Sequence, residues 1–243
     1  MQTALLWAAS GTGFTFLMTT LGAASVFLFR KRNSMAIQRA FLGFAAGVMI
    51  AASVWSLLIP AIERAEEAGQ VGWIPAAGGF VIGVAFLMVL HQLLPHLHPG
   101  ESKPEGLPSK WERPTLLFTA VTLHNIPEGM SVGLLFAMAA QNGGDPGMFG
   151  MAVALAIGIG IQNIPEGAAV ALPMLQEGMS APKAFGLGAL SGLAEPVFGI
   201  LVVLFAGLIS PYMPWMLAFS AGAMMLSLIH IYVGVVDQHH SRG

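Results

Sequence analysis

LHNIPEGMSV (residues 123–132) lies inside an apolar run, and IQNIPEGAAV (161–170) repeats nearly the same word inside the next one. The first places a histidine, an asparagine, a proline and a glutamate within five positions; the second replaces only the histidine, by glutamine. A charged side chain at bilayer depth costs on the order of 3 kcal/mol on insertion scales, and such residues mark ion paths and proton relays. Whether these two runs cross a membrane therefore decides both the fold and the chemistry.

Composition answers the first half. Hydrophobic residues make up 56% of the 243 positions and charged residues 9%, against roughly a quarter charged in soluble domains. Mean hydropathy is +0.75. The chain reads as an all-α polytopic membrane protein, one transmembrane domain over 1–243 rather than a set of soluble domains. A net charge of −2 offers no footprint for nucleic acid, and the lack of cysteine excludes disulfides and thiolate metal sites.

Apolar runs of about twenty residues fall near 4–29, 36–59, 72–94, 115–139, 148–173, 183–208 and 212–236, which makes seven spans. The first has no basic residues ahead of it; Arg30, Lys31 and Arg32 follow it instead. That order predicts a retained first span with its N-terminus outside. The cytoplasmic segments then hold Arg30, Lys31, Arg32, Arg39, Lys103, Lys110, Arg113 and Lys183, and only Arg64 is left outside among residues 1–211. This is the positive-inside pattern of a multi-pass protein, here assigned to the cell (inner) membrane. Residues 95–114, rich in proline, glycine and charge, read as a cytoplasmic loop. Its His96 and His98, with His91 upstream, could hold a metal transiently; as solvated loop histidines they would do nothing.

Of 12 acidic residues, Glu63, Glu66, Glu67, Glu101, Glu105, Glu112, Asp145, Glu177 and Asp237 fall in loops, span ends or the tail. Glu128, Glu166 and Glu195 fall mid-span, two of them in the repeated word and the third in SGLAEPVFG. On a helix His124 and Glu128 stand one turn apart on one face, with Asn125 three residues from Glu128. Gln162, Asn163 and Glu166 repeat this on the next, antiparallel span. At equal depth the two polar faces meet, with Glu128 and Glu166 between them. Two close carboxylates in a dry setting repel, and a divalent cation removes the conflict. Imidazole nitrogen with carboxylate and amide oxygens suits Zn²⁺, and also Fe²⁺, Mn²⁺ or Cd²⁺; without thiolates Cu(I) fits poorly. The 15 methionines read as packing. Pro127 and Pro165 free the carbonyls of Leu123 and Ile161 and predict a kink in each span, while Gly129 and Gly167 permit close helix approach. A lone polar residue would read as an interhelical hydrogen bond. Two matched words and a third buried glutamate point instead to a metal-binding segment of a transport path.

At HNIPEG and QNIPEG the chain resembles the fourth and fifth spans of the ZIP (Zrt/Irt-like) family of divalent metal transporters. SGLAEPVFG is similar to that family's sixth span and GFAAGVMIAASVWSLLIPAIE (43–63) to its second, over nearly all of residues 1–225. The pairing of an HN word with a QN word is that of the GufA-like branch. The resemblance implies two adjacent metal sites. His124, Glu128, Gln162 and Glu166 would form one. Asn125, Glu128, Asn163, Glu166 and Glu195 would form the other, the glutamates bridging both. Some relatives carry aspartate at the position of Asn163, which implies weaker metal holding here. It also implies zinc as cargo rather than any prosthetic group, a homodimer in the bilayer, and an elevator-like movement of spans 1, 4, 5 and 6 against the rest.

The resemblance lapses near the end. The family has eight spans, with spans 1–3 and 6–8 related as inverted repeats, and AFSAGAMM (218–225) echoes GFAAGVMI (43–50) as a seventh span should. Then LSLIHIYVGVVDQHHSRG stands where an acidic, proline-bearing ending and an eighth span are expected. LSLIHI is what CTGTCTCTTATACACATC encodes, the end of a transposase adaptor used in sequencing libraries. Residues 226–243 are therefore read as a non-native tail, and His230, His239 and His240 are left out of the site. Two rival functions are weaker. An intramembrane metal-dependent hydrolase would call for an H-E-x-x-H or a nucleophile set against a base, which the sequence lacks. A proton- or sodium-coupled carrier of an organic solute would need a pocket beyond the carboxylates. The reading is a transporter, not an enzyme.

Overall fold

A chain this apolar must satisfy its backbone polar groups within each segment, which in hydrocarbon selects helices. The computed structural model describes residues 1–28, 35–97 and 104–240, with side chains over 1–28, 43–97 and 104–229. It is helical throughout, and among the described residues the only β-type pairing is an isolated bridge between His96 and Glu105. Helix α1 (Gln2–Ala23) continues after one turn residue as Ser25–Leu28. Helix α2 (Met35–Ala51) passes through a π-helical stretch, Ala52–Leu58, into Ile59–Glu67. Then come α3 (Trp73–Leu93), α4 (Arg113–Gln141) and α5 (Pro146–Gln176). Helix α6 (Ala181–Ser191) resumes as Ala194–Leu204, and α7 (Met213–His240) ends the described chain.

Among the described residues, six helical segments are long and apolar enough to cross a membrane: Gln2–Leu28, Gly43–Glu67, Trp73–Leu93, Pro146–Gln176, Ala181–Leu204 and Ala206–Ile229. The protein is a multi-pass integral membrane protein. The missing one of the seven expected spans is α4, which at 29 residues is long enough but is made less apolar by His124, Asn125, Glu128 and their polar neighbours. It is also the most enclosed helix, buried along most of Leu116 to Ala139, so it has little need of a lipid-compatible surface.

The sixth span, expected near 183–208, is present as Ala181–Leu204, but its helix is interrupted. Pro196 has no N–H for the carbonyl of Gly192, and the helix breaks between Ser191 and Ala194. By contrast, α4 and α5 run unbroken through Pro127 and Pro165. The loop histidines also depart from the solvated alternative: His91 and His96 are 5% and 0% exposed, their rings 4.6 Å apart. His96 pairs through its backbone with Glu105, and the neighbouring buried Leu97 donates its N–H to the Leu116 carbonyl, tacking the loop onto α4. His98, with Arg30, Lys31 and Arg32, lies outside the described residues. Helix α7 crosses position 226 without a break, with Ser227 and Leu228 buried.

The helices pack in two groups. α1, α4, α5 and both halves of α6 pack chiefly on one another, whereas α7 packs chiefly on α3 and on the π-helical and final segments of α2. α2 with α5, and α4 with α7, join the groups. Within lipid there is little hydrophobic drive between helices, so close approach at small residues supplies the packing. A side chain at Gly22, Gly167, Gly129 or Gly133 would collide with the backbone of Ile164, Thr19, Glu195 or Gly199, all in the first group. Gly79, Gly83 and Gly222 meet the backbone of Trp215, Phe219 and Phe80 in the same way between α3 and α7.

Candidate metal centre

The four helices of the first group share one layering. At one end an apolar cluster contains Ala4 and Ala8 of α1, Val132 to Met138 of α4, Ala152 to Ile159 of α5, and Val202. At the other end a second cluster contains Ala23, Leu116, Leu117, Val121, Val170, Met174 and Ala184. Between them each helix turns polar at the same level: Thr12, Thr15 and Thr19; His124, Asn125, Glu128 and Ser131; Gln162, Asn163 and Glu166; Ser191 and Glu195. All are 6% exposed or less. The repeated words thus sit in one sealed polar layer.

Glu128 and Glu195 are fully buried and Glu166 is 6% exposed. Glu195 sits against α4 beside Glu128, where a side chain at Gly129 would meet the Glu195 backbone. Glu128, Glu166 and Glu195 thus all lie in this one buried layer. Amides link the layer. Gln162 Nε2 donates to Glu128 Oε1 at 2.7 Å, and Asn163 Nδ2 donates to Glu195 Oε1 at 2.9 Å. Asn125 Nδ2 donates to the Ser191 carbonyl at 2.9 Å, using an acceptor that the α6 break leaves available. Oxygens remain over: Asn125 Oδ1, Glu128 Oε2, Gln162 Oε1, Asn163 Oδ1, both of Glu166 and Glu195 Oε2 have no hydrogen-bond partner. Buried oxygens are rarely left so, and a cluster of them is suited to a cation.

His124 reaches toward the second helix group. Its Nδ1 lies 2.6 Å from Ser227 Oγ of α7, and its ring stands edge-on to His91 of α3 at 6.0 Å between centroids. Among the described residues no three His, Asp or Glu side chains converge as a ready-made metal site. The seven expected ligands thus share one buried layer without converging on a common point. Sequence reasoning missed Thr15, Thr19 and Ser191. Threonine is common in membrane helices and its hydroxyl is usually satisfied by its own backbone, so nothing marks it; the Ser191 carbonyl is left to Asn125 because the Glu195 N–H donates to the Gly192 carbonyl instead, at 3.1 Å.

A bundle of membrane-crossing helices that encloses three buried carboxyls and four amide or imidazole side chains defines a polytopic membrane protein with an acidic polar centre. Its relatives specify the class further. The chain is 35% identical to the human zinc transporter ZIP11, with 88% of this chain and 85% of that protein covered. It is 38% identical to the zinc transporter GufA of Myxococcus xanthus, with 87% and 81% covered, and 31% identical to the zinc transporter ZupT of Salmonella newport over about half of each chain. No protein-family model matches. The chain belongs to the ZIP family, in its GufA-like branch.

Proposed function

We propose that this protein carries divalent metal cations, zinc foremost, across the membrane toward the cytoplasm through a binuclear site between α4, α5 and α6. The observation that carries this is the buried layer in which Glu128, Glu166 and Glu195 leave carboxyl oxygens without hydrogen-bond partners. Three carboxylates held together away from water call for positive charge, and a divalent ion supplies it where a transported ion would pass. The relatives named as zinc transporters support the same reading. His124, Glu128, Gln162 and Glu166 form the first site; Asn125, Glu128, Asn163, Glu166 and Glu195 form the second. The glutamates serve both. For the amides to ligate, their oxygens must face the ion while the nitrogens of Gln162, Asn163 and Asn125 stay on Glu128, Glu195 and the Ser191 carbonyl, and those oxygens are the ones left over.

Apolar clusters seal the layer from both ends, so an ion can enter and leave only if the bundle changes shape. The division of the helices into α1, α4, α5 and α6 against α2, α3 and α7 offers the plane for such a movement. The N-terminus lies outside, the protein sits in the cell membrane as a homodimer, and Fe²⁺, Mn²⁺ and Cd²⁺ are the competing ions. Metal-resolved uptake into proteoliposomes, read by elemental analysis, tests the proposal. Zinc should accumulate above protein-free vesicles, and equal accumulation in both would overturn it.

Two further results are expected. His124→Ala should weaken zinc more than manganese, by about tenfold, because losing the nitrogen leaves an all-oxygen site. Competition by unlabelled metals reports this, and an unchanged selectivity order would remove His124 from the ligands. The second concerns the tail. Amplification of the locus from source DNA should give a different reading frame after Met225, and the contact between Ser227 and His124 then belongs to a foreign residue. A frame continuing through LSLIHIYVGVV would make Ser227 a native partner of His124.

A further inference from the structure

The first span supplies none of the seven proposed ligands, yet it lines the acidic layer with hydroxyls. Thr12, Thr15 and Thr19 are each 1% exposed or less. Thr12 returns its proton to its own helix, Oγ1 to the Ala8 carbonyl at 2.7 Å, whereas Thr15 Oγ1, 3.0 Å from the Thr12 carbonyl, also acts on the Glu195 carboxyl. Thr19 reaches out. Its Oγ1 lies 3.3 Å from the Thr15 carbonyl and 3.2 Å from Glu195 Oε1. A hydroxyl has one proton to give, and a carboxylate is the stronger acceptor. The same Oε1 takes the Asn163 amide, whose Nδ2 also donates to the Thr15 carbonyl at 3.2 Å. The other oxygen, Oε2, has no partner.

We propose that Thr19 is a positioning residue for Glu195, which makes the first span part of the second metal site. Thr19 and Asn163 fix Oε1 from two sides, so Oε2 is presented toward Glu128 and Glu166. This rests on the metal-transport reading. The need for such a hold is local: Glu195 stands in the first turn after the α6 break, where no preceding helical turn braces it. A neutral hydroxyl is the suitable donor. It orients the carboxylate while leaving the charge available to a cation, as lysine or arginine would not. Thr19 is itself held in place, since Gly192 leaves room for nothing larger against its side chain and Gly167 packs on its carbonyl.

The test is zinc titration of the purified full-length protein, alongside uptake kinetics. Thr19→Val keeps the shape and loses the proton; Thr19→Ser keeps the proton. Loss of a partner that orients a ligand costs about 10- to 100-fold in metal affinity. Thr19→Val should therefore weaken the second site about tenfold or more and raise the KM for zinc, and Thr19→Ser should restore both to within about twofold. Glu195→Gln should weaken the same site, and adding Thr19→Val to it should cost nothing further, because the two act as one unit. Wild-type binding by Thr19→Val, equal damage by Ser and Val, or additive losses in the double variant would each overturn the proposal. Unchanged binding by Glu195→Gln, or no zinc bound by the wild type, would instead overturn the site itself and the positioning role with it.

Discussion

Glu128→Ala and Glu166→Ala each reduce zinc uptake in a transport-deficient host by at least about 100-fold at matched expression. The magnitude follows from removing one partner of a desolvated charged interaction, which costs 2–5 kcal/mol or more. Both carboxylates belong to both proposed sites, so neither ion retains its full ligand set. Stability should move the other way. In the absence of metal, Glu166 is a buried carboxyl with no hydrogen-bond partner on either oxygen, and an uncharged amide there removes the cost of holding a charge away from water. Glu166→Gln, which keeps the shape, should melt in detergent no lower than the wild type while losing uptake. A site built for function at the expense of stability behaves in this way. Wild-type uptake by either alanine variant would end the shared-site proposal.

What the sequence disclosed, it disclosed through cost. Glu128, Glu166 and Glu195 were visible because charge inside an apolar run has few explanations, and the i, i+4 spacing placed His124 and Glu128 on one helical face before any coordinates. The seven helices followed from hydrophobic length alone. Three features did not follow. Thr15 and Thr19 satisfy themselves locally in most membrane helices, so their role at Glu195 and Asn163 depends on how α1 crosses α5 and α6. His91 looked like the edge of a loop; its burial beside His124 depends on how the bundle brings the end of α3 to α4. The partners of Gln162 and Asn163 were equally hidden. Their spacing gives the face, but only packing decides that each amide donates to a different carboxylate. Pro196 is the exception, a local signal for the break in α6 that the apolar run around it concealed.

Gly167→Ala is expected to destabilise the bundle by about 1–3 kcal/mol, the range for overfilling a packed interior. Its new methyl would collide with the Thr19 carbonyl oxygen and stand 2.9 Å from the Ala23 nitrogen. These are backbone atoms of α1, which cannot turn aside as a flexible side chain would. α1 must shift away from α5 as a body, which loosens both Thr19 on Glu195 and the Thr15 carbonyl on Asn163. Loss of stability and loss of zinc uptake should therefore appear together. Gly186→Ala is the matched control: the same methyl meets nothing within 4 Å, and a surface change of this kind stays within about 0.5 kcal/mol. Thermal unfolding in detergent separates them, since about 1 kcal/mol moves Tm by roughly 2–4 °C in a chain of this size. Equal melting of the two variants, with uptake intact in both, would show that α1 and α5 are not in the contact that brings the first span to the acidic centre.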